Sequence, residues 1–173
     1  MAFLLPSNLG AVCMIVSSFS SRFLFPLLSL EGKAFWIVGL APIPRSYILR
    51  EKALFGLGVS LMLGLVLTVV SNAVLRSPPH LFLGGVATIV LASTCLTSLA
   101  TGLGAAYPSF EEDNPARIAV GLGGTLNFFA SALCVATIIA LQASPYIILG
   151  QDPGLWAHAA HLAALGFTVC LCF

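Results

Sequence analysis

Two uncharged apolar stretches decide the fold of this chain. Ala53–Leu75 reads ALFGLGVSLMLGLVLTVVSNAVL, and Leu81–Ala106 reads LFLGGVATIVLASTCLTSLATGLGAA. An α-helix rises about 1.5 Å per residue, so roughly 20 apolar residues cross the hydrocarbon core of a bilayer, which is about 30 Å thick. Each stretch therefore predicts one membrane-spanning helix.

Three further apolar stretches have a similar length and lie at 9–28, 118–141 and 155–173. Together with 53–75 and 81–106, they predict an all-α fold. We expect a polytopic integral membrane helical bundle of about five transmembrane helices. Residues 1–173 form a single transmembrane domain in this prediction.

The composition excludes several classes of protein. Hydrophobic residues make up 59% of the 173 residues and charged residues 8%, against roughly 25% charged residues in a soluble domain. Thirteen charges cannot cover the surface of a soluble protein of this size, and the net charge of +1 provides no basic surface for nucleic acid. The lipid bilayer is the expected surrounding.

Basic residues are distributed unevenly between the two ends of the predicted helices. Arg76 stands alone at one end, whereas six basic residues lie at the other: Arg22, Lys33, Arg45, Arg50, Lys52 and Arg117. Because cytoplasmic loops carry an excess of Lys and Arg, we expect loops 29–52 and 107–117 to be cytoplasmic. The predicted location is the cell (plasma) membrane, with several passes.

The segment 29–52 holds a short apolar and charged stretch, Leu30–Leu40, which Pro42 and Pro44 must end. It is too short to span a bilayer. It predicts an interfacial helix in the plane of the membrane, with Trp36 at the level of the lipid headgroups.

Small residues recur at spacings that let membrane helices approach closely, as in the row Gly56, Ser60 and Gly64. Close backbone contact is a main source of helix association in lipid. The residues predicted to pack helices together are Gly56, Ser60, Gly64, Gly102, Gly104, Gly121, Gly123 and Gly124.

No stretch has the pattern expected of a catalytic, cofactor or metal site. The sequence contains no G-x-x-x-x-G-K-[ST] motif, which rules out ATP binding through a Walker A loop within these residues. His158 and His161 could share one face of a helix, but only Asp152 lies nearby as a third ligand. We therefore expect no enzyme activity, no cofactor and no metal.

Two blocks resemble a known family. The first is Ser29–Trp36 (SLEGKAFW) followed by Ala41–Ile43, and the second runs from Gly102 to Gly124. The second block contains Gly102–Ala105, Pro108, Phe110, Asn114–Ala119, Gly121, Gly123 and Gly124. Together they resemble the C-terminal membrane block of bacterial ABC-2-type transporter permeases. Members of that family are much longer, so the resemblance implies that this chain is a fragment of a longer permease.

The resemblance implies a permease subunit of an ATP-binding cassette exporter, working as a homo- or heterodimer with a separate P-loop ATPase that hydrolyses ATP. The interfacial segment would then be a coupling helix. The expected ATPase-contacting residues are Glu31, Lys33, Phe35, Trp36, Arg45 and Arg50, with a second cytoplasmic turn at Pro108, Phe110, Asn114, Pro115 and Arg117.

Two alternatives stay open at this point. One is a membrane scaffold or assembly protein without transport activity, which would use the small-residue rows to hold other helices. The other is an ion-coupled secondary transporter, against which the uncharged central helices argue, since such proteins place acidic residues or broken helices near the midplane.

Overall fold

The computed structural model describes residues 4–27, 29–30, 40, 44–76, 79–110, 112 and 114–148. The secondary-structure elements of this part are all helical, so the all-α prediction is confirmed for it. The elements are α1 (Leu4–Phe19), a π turn (Ser20–Leu24), a 3-10 turn (Phe25–Leu27), α2 (Arg45–Leu75), α3 (Pro79–Ala106), α4 (Pro115–Val120) and α5 (Leu122–Ile148). The predicted span 155–173 and residues 31–39 and 41–43 of the predicted interfacial segment lie outside the described residues.

Four helical stretches of the described part are long and apolar enough to cross a membrane. They are Ser7–Leu27, Ser46–Leu75, Phe82–Ala106 and Leu122–Ala140. Each overlaps one of the first four predicted spans. Helix length and composition therefore indicate association with a membrane.

The first span is not one regular α-helix. Pro26 has no backbone N–H and cannot bond to the carbonyl four residues earlier, which disfavours an α-helix through this position. The chain leaves α-geometry at Ser20, and the backbone N–H of Phe25 bonds to the carbonyl of Ser20, five residues back. The π turn and the following 3-10 turn carry the chain to Leu27.

Helix α2 begins at Arg45, eight residues before the predicted start at Ala53. Pro44 is extended (φ −65°, ψ 138°) and stands at the N-cap. No proline or glycine interrupts Arg45–Lys52, and Arg, Glu, Lys and Leu all favour helix. Residues 45–52, which the prediction places in the cytoplasmic interfacial segment 29–52, are therefore the first turns of α2.

The predicted span 118–141 is also divided differently. Helix α4 ends at Val120, and α5 begins at Leu122 and continues to Ile148. Gly121, at the break, is extended (φ −61°, ψ 174°). Its N–H bonds back to the carbonyls of Arg117 and Ile118, at 3.0 and 3.2 Å, and closes α4.

The core lies where α1, α3 and α5 meet. Side chains with almost no exposure come from each helix, among them Val16, Ile89, Leu96 and Val135. A smaller cluster of Leu24, Phe25, Ala100 and Ile118 packs the π and 3-10 turns against α3 and α4. Van der Waals contact of this kind holds helices together in lipid.

Several small residues mark close helix contacts. A Cβ added to Gly56 would lie 2.7 Å from Leu24 Cδ2, and one added to Gly64 would lie 2.8 Å from Ile89 Cγ2. Ser60, between them, is fully buried. At these positions α2 lies close to its neighbours.

Candidate partner-contact site

One end of the bundle combines hydrogen bonds between elements with exposed charges. Lys52, in the second turn of α2, donates from Nζ to the backbone carbonyl of Leu27 at 2.9 Å. The contact joins the end of the first span to the start of the second. Lys52 is half-buried, so its aliphatic stem covers apolar surface while its ammonium group donates to the backbone carbonyl.

A second hydrogen bond joins the chain after the first span to the loop after α3. The backbone N–H of Ser109 donates to Ser29 Oγ at 3.1 Å. Ser29 is fully buried, and the two residues are 80 positions apart. The loop that follows α3 is thereby held against the end of the first span.

Helix α4 lies at the same end, because it packs against the π and 3-10 turns of the first span. Asn114 is its N-cap and accepts from the backbone N–H of Ala116 at 3.0 Å, with Pro115 at the first helical position. Both features agree with the usual preferences at helix starts. Ile118 is buried and fixes the orientation of this short helix.

An exposed ion pair completes this end. Arg117 Nη1 lies 3.3 Å from Glu112 Oε1, and the two side chains are 73% and 43% exposed. Pairs with this exposure contribute about 0–1 kcal/mol. Both groups therefore remain available to a charged partner at small cost.

We call this set of residues the charged end of the bundle: Leu27, Ser29, Arg50, Lys52, Ser109, Glu112, Asn114 and Arg117. Arg76 lies at the opposite end of α2, where it is exposed and adopts a left-handed backbone (φ 48°).

The structure places the predicted partner-contacting residues unevenly. Glu31, Lys33, Phe35 and Trp36 lie outside the described residues. Arg45 is the first residue of α2, and Arg50, five residues on, has an exposed side chain. The roles of these residues stay predictions.

The second predicted cytoplasmic turn is described more fully. Pro108 and Phe110 lie in the loop after α3, and Asn114, Pro115 and Arg117 form the start of α4. The structure brings this turn to the end of the first span through the bond between Ser29 and Ser109.

Five residues of the charged end were not predicted as site residues: Leu27, Ser29, Lys52, Ser109 and Glu112. Ser29 and Lys52 each bond to a distant part of the chain. The signal for Lys52 is its position as the last charge before an uncharged apolar stretch. No local signal distinguishes Ser29, because its partner lies 80 residues away.

The glycines at the start of α5 lie close to other parts of the chain. A Cβ on Gly123 would lie 2.7 Å from Tyr107 Cβ and 2.9 Å from Phe25 Cζ. The backbone oxygen of Ala119 lies against Gly124.

Among the residues described, no group of three or more His, Cys, Asp or Glu side chains could hold a metal ion. His158 and His161 lie outside that range.

Comparison with known protein families identifies the class. Residues 2–172 match the model of a family described as "Putative ATP-binding cassette". The match covers nearly all of the 173 residues, so the chain belongs to this family. No curated protein and no solved structure matches the chain.

This family membership corrects the prediction made from the resemblance. The matching family is an ATP-binding cassette family and not an ABC-2 permease family. The prediction of a permease subunit that couples an ATPase to export is therefore wrong, as are the scaffold and secondary-transporter alternatives. The second block that suggested a permease includes residues that start or end helices, such as Asn114-Pro115 and Gly121. Such residues recur at helix ends for general reasons and do not specify one family.

Proposed function

We propose that this chain is a membrane-embedded helical component of an ATP-binding cassette assembly, and that its charged end contacts the nucleotide-binding part of that assembly. The observation that carries the proposal is the charged end itself. It is the place where exposed Arg50, Arg117 and Glu112 lie on a bundle whose helices are otherwise apolar. Family membership supports a place in an ATP-binding cassette assembly. Four helices of membrane-spanning length support the membrane position.

Nucleotide chemistry belongs, in this proposal, to a separate P-loop ATPase chain. The sequence has no Walker A motif, and Gly123 and Gly124 are covered by protein atoms. The chain itself forms and breaks no bonds.

The charged end has the properties of a protein-binding surface. Charges at the edge of an interface steer association and select partners. The bonds between Lys52 and Leu27 and between Ser29 and Ser109 hold the supporting backbone. Arg45, together with Glu31, Lys33, Phe35 and Trp36, would extend this surface.

The orientation follows from the basic residues. Since the excess of Lys and Arg favours the cytoplasmic side, the charged end faces the cytoplasm in this proposal. The bilayer is the plasma membrane, and a second copy or a related helical chain completes the assembly.

The test is affinity purification of the full chain from its own host in mild detergent, followed by mass spectrometry. We expect a P-loop ATPase in stoichiometric amount. The double variant Arg50→Glu, Arg117→Glu should lower the recovery of the ATPase by roughly tenfold. A tenfold loss of affinity corresponds to about 1.4 kcal/mol, and charge pairs across an interface contribute at least about this much.

The matched control is Arg76→Asp, which reverses one charge at the opposite end of α2. Aspartate is chosen because it tolerates the left-handed backbone at this position. It should leave recovery unchanged. Reproducible purification without any ATPase would contradict the proposal. Equal losses for the double variant and the control would contradict the assignment of the contact to the charged end.

A further inference from the structure

A cluster of buried polar side chains lies where the π turn meets α5. Asn127 Nδ2 donates to Ser21 Oγ at 3.1 Å, and Ser21 Oγ lies 3.4 Å from Ser131 Oγ. Relative exposures are 1% for Asn127, 7% for Ser21 and 1% for Ser131. The two elements are more than 100 residues apart in sequence.

Hydrogen bonding in this cluster is incomplete. Asn127 Oδ1 is buried and has no hydrogen-bond partner, and the same holds for Ser20 Oγ, next to Ser21 in the chain. Rotating the amide by half a turn would exchange its oxygen and nitrogen but would still leave one end unpaired. A buried polar group of this kind normally has a partner, and a bound water or ion is the usual one.

The composition of the cluster decides between water and a cation. Its polar atoms are neutral hydroxyl and amide groups, and no buried charged residue is found in the described part of the chain. The nearest charge along the chain is Arg22, which is positive and exposed. A buried cation without a compensating anion is strongly disfavoured, whereas a water molecule needs only two to four polar partners.

We propose that Asn127 Oδ1 binds one buried water molecule at the junction of the π turn and α5. Serine hydroxyls of the cluster provide the further partners that such a water needs. The π turn is the part of the first span that departs from α-geometry, so the water would stabilise the bundle where that span is least regular. Turns of this kind often occur at functional positions in helices.

Phe25 is a suitable reporter for this water. It is 1% exposed, and its Cζ would lie 2.9 Å from a Cβ added to Gly123, which is one helical turn before Asn127 on the same face of α5. In X-ray radiolytic labelling, hydroxyl radicals form from water in place, so a side chain without solvent access is labelled when a bound water lies near it.

The first experiment is radiolytic labelling of the full chain in detergent, read by mass spectrometry. We expect label at Phe25 in the wild type and a several-fold loss in Asn127→Leu. Asn72→Leu is the matched control, because Asn72 is another buried amide, bonded to the carbonyl of Thr68 at 2.8 Å. This control should keep the label at Phe25.

Two labelling results would overturn the proposal. One is a wild-type Phe25 labelled no more than the buried side chains of Ile89 and Leu96. The other is label at Phe25 that persists in Asn127→Leu, since that water would then bind elsewhere.

The direction of the change in the unfolding midpoint provides a second test that does not depend on labelling. If the site holds water, Asn127→Leu removes hydrogen bonds and displaces that water, and the midpoint falls. If the site is dry, the same change removes an unpaired amide oxygen together with the bond to Ser21, so the midpoint falls less or not at all. A rise would overturn the proposal, as would a midpoint that increases with NaCl but not with choline chloride, because that result assigns the site to sodium.

Discussion

The contact between α3 and the 3-10 turn provides a sharp test of how the bundle packs. A Cβ added to Gly104 would lie 2.7 Å from the backbone oxygen of Phe25. Contacts between carbon and a carbonyl oxygen lie at about 3.3 Å or more, so Gly104→Ala requires the two backbones to separate by roughly 0.6 Å. The obstacle is a backbone atom, which no side-chain rotation can remove.

Gly102 is a matched control on the same helix. No heavy atom lies within 4 Å of a Cβ added there, so Gly102→Ala meets open space. Both substitutions replace Gly by Ala in α3 and gain the same helix propensity, about 1 kcal/mol. That gain cancels in the comparison, and the difference between the variants is the cost of overpacking, about 1–3 kcal/mol.

A change of 1 kcal/mol moves the midpoint of a domain of this size by about 2–4 °C. We therefore expect the midpoint of Gly104→Ala to lie about 2–12 °C below that of Gly102→Ala. Cys13 and Cys134 are buried free thiols, so a thiol-reactive fluorescent dye added during heating reports unfolding in detergent. Midpoints equal within 1 °C would refute the assigned packing of α3 against the first span.

Two further predictions concern the charged end. Lys52→Met should lower the unfolding midpoint more than Arg50→Met, because only Lys52 is half-buried and bonded to Leu27. Hydrogen bonds from charged groups contribute about 1.5–3 kcal/mol. Equal midpoints would contradict a stabilising role for the bond between Lys52 and Leu27. Asn114→Ala should destabilise the start of α4 by about 1 kcal/mol, since it removes the bond to the N–H of Ala116. Hydrogen exchange of the amides at 116–118 should become faster in Asn114→Ala. Ser109→Ala is the control and should leave exchange unchanged, because Ser109 bonds to Ser29 through its backbone N–H. Unchanged exchange in Asn114→Ala would show that the cap is dispensable.

The charged end was only partly predictable. The start of α4 follows from local chemistry, because Asn114 and Pro115 have side chains and backbone angles suited to the first positions of a helix. Lys52 and Ser29 could not be assigned partners in advance, since the carbonyl of Leu27 and the N–H of Ser109 reach them only after the helices pack. The family was also misjudged, because helix-ending residues carry little information about the assembly to which a membrane helix belongs.

The sequence by itself determined that the protein is helical and suited to a bilayer. Uninterrupted apolar runs of about 20 residues with very few charges favour helices, because a helix in lipid pairs every backbone polar group within its own segment. Only the tertiary structure decided where the helices depart from regularity and which small residues matter. Gly102 and Gly104 are alike in sequence, yet one faces open space and the other faces the backbone of Phe25. The difference depends on which part of the chain packs against each glycine, and the residues next to a glycine in sequence do not reveal that partner.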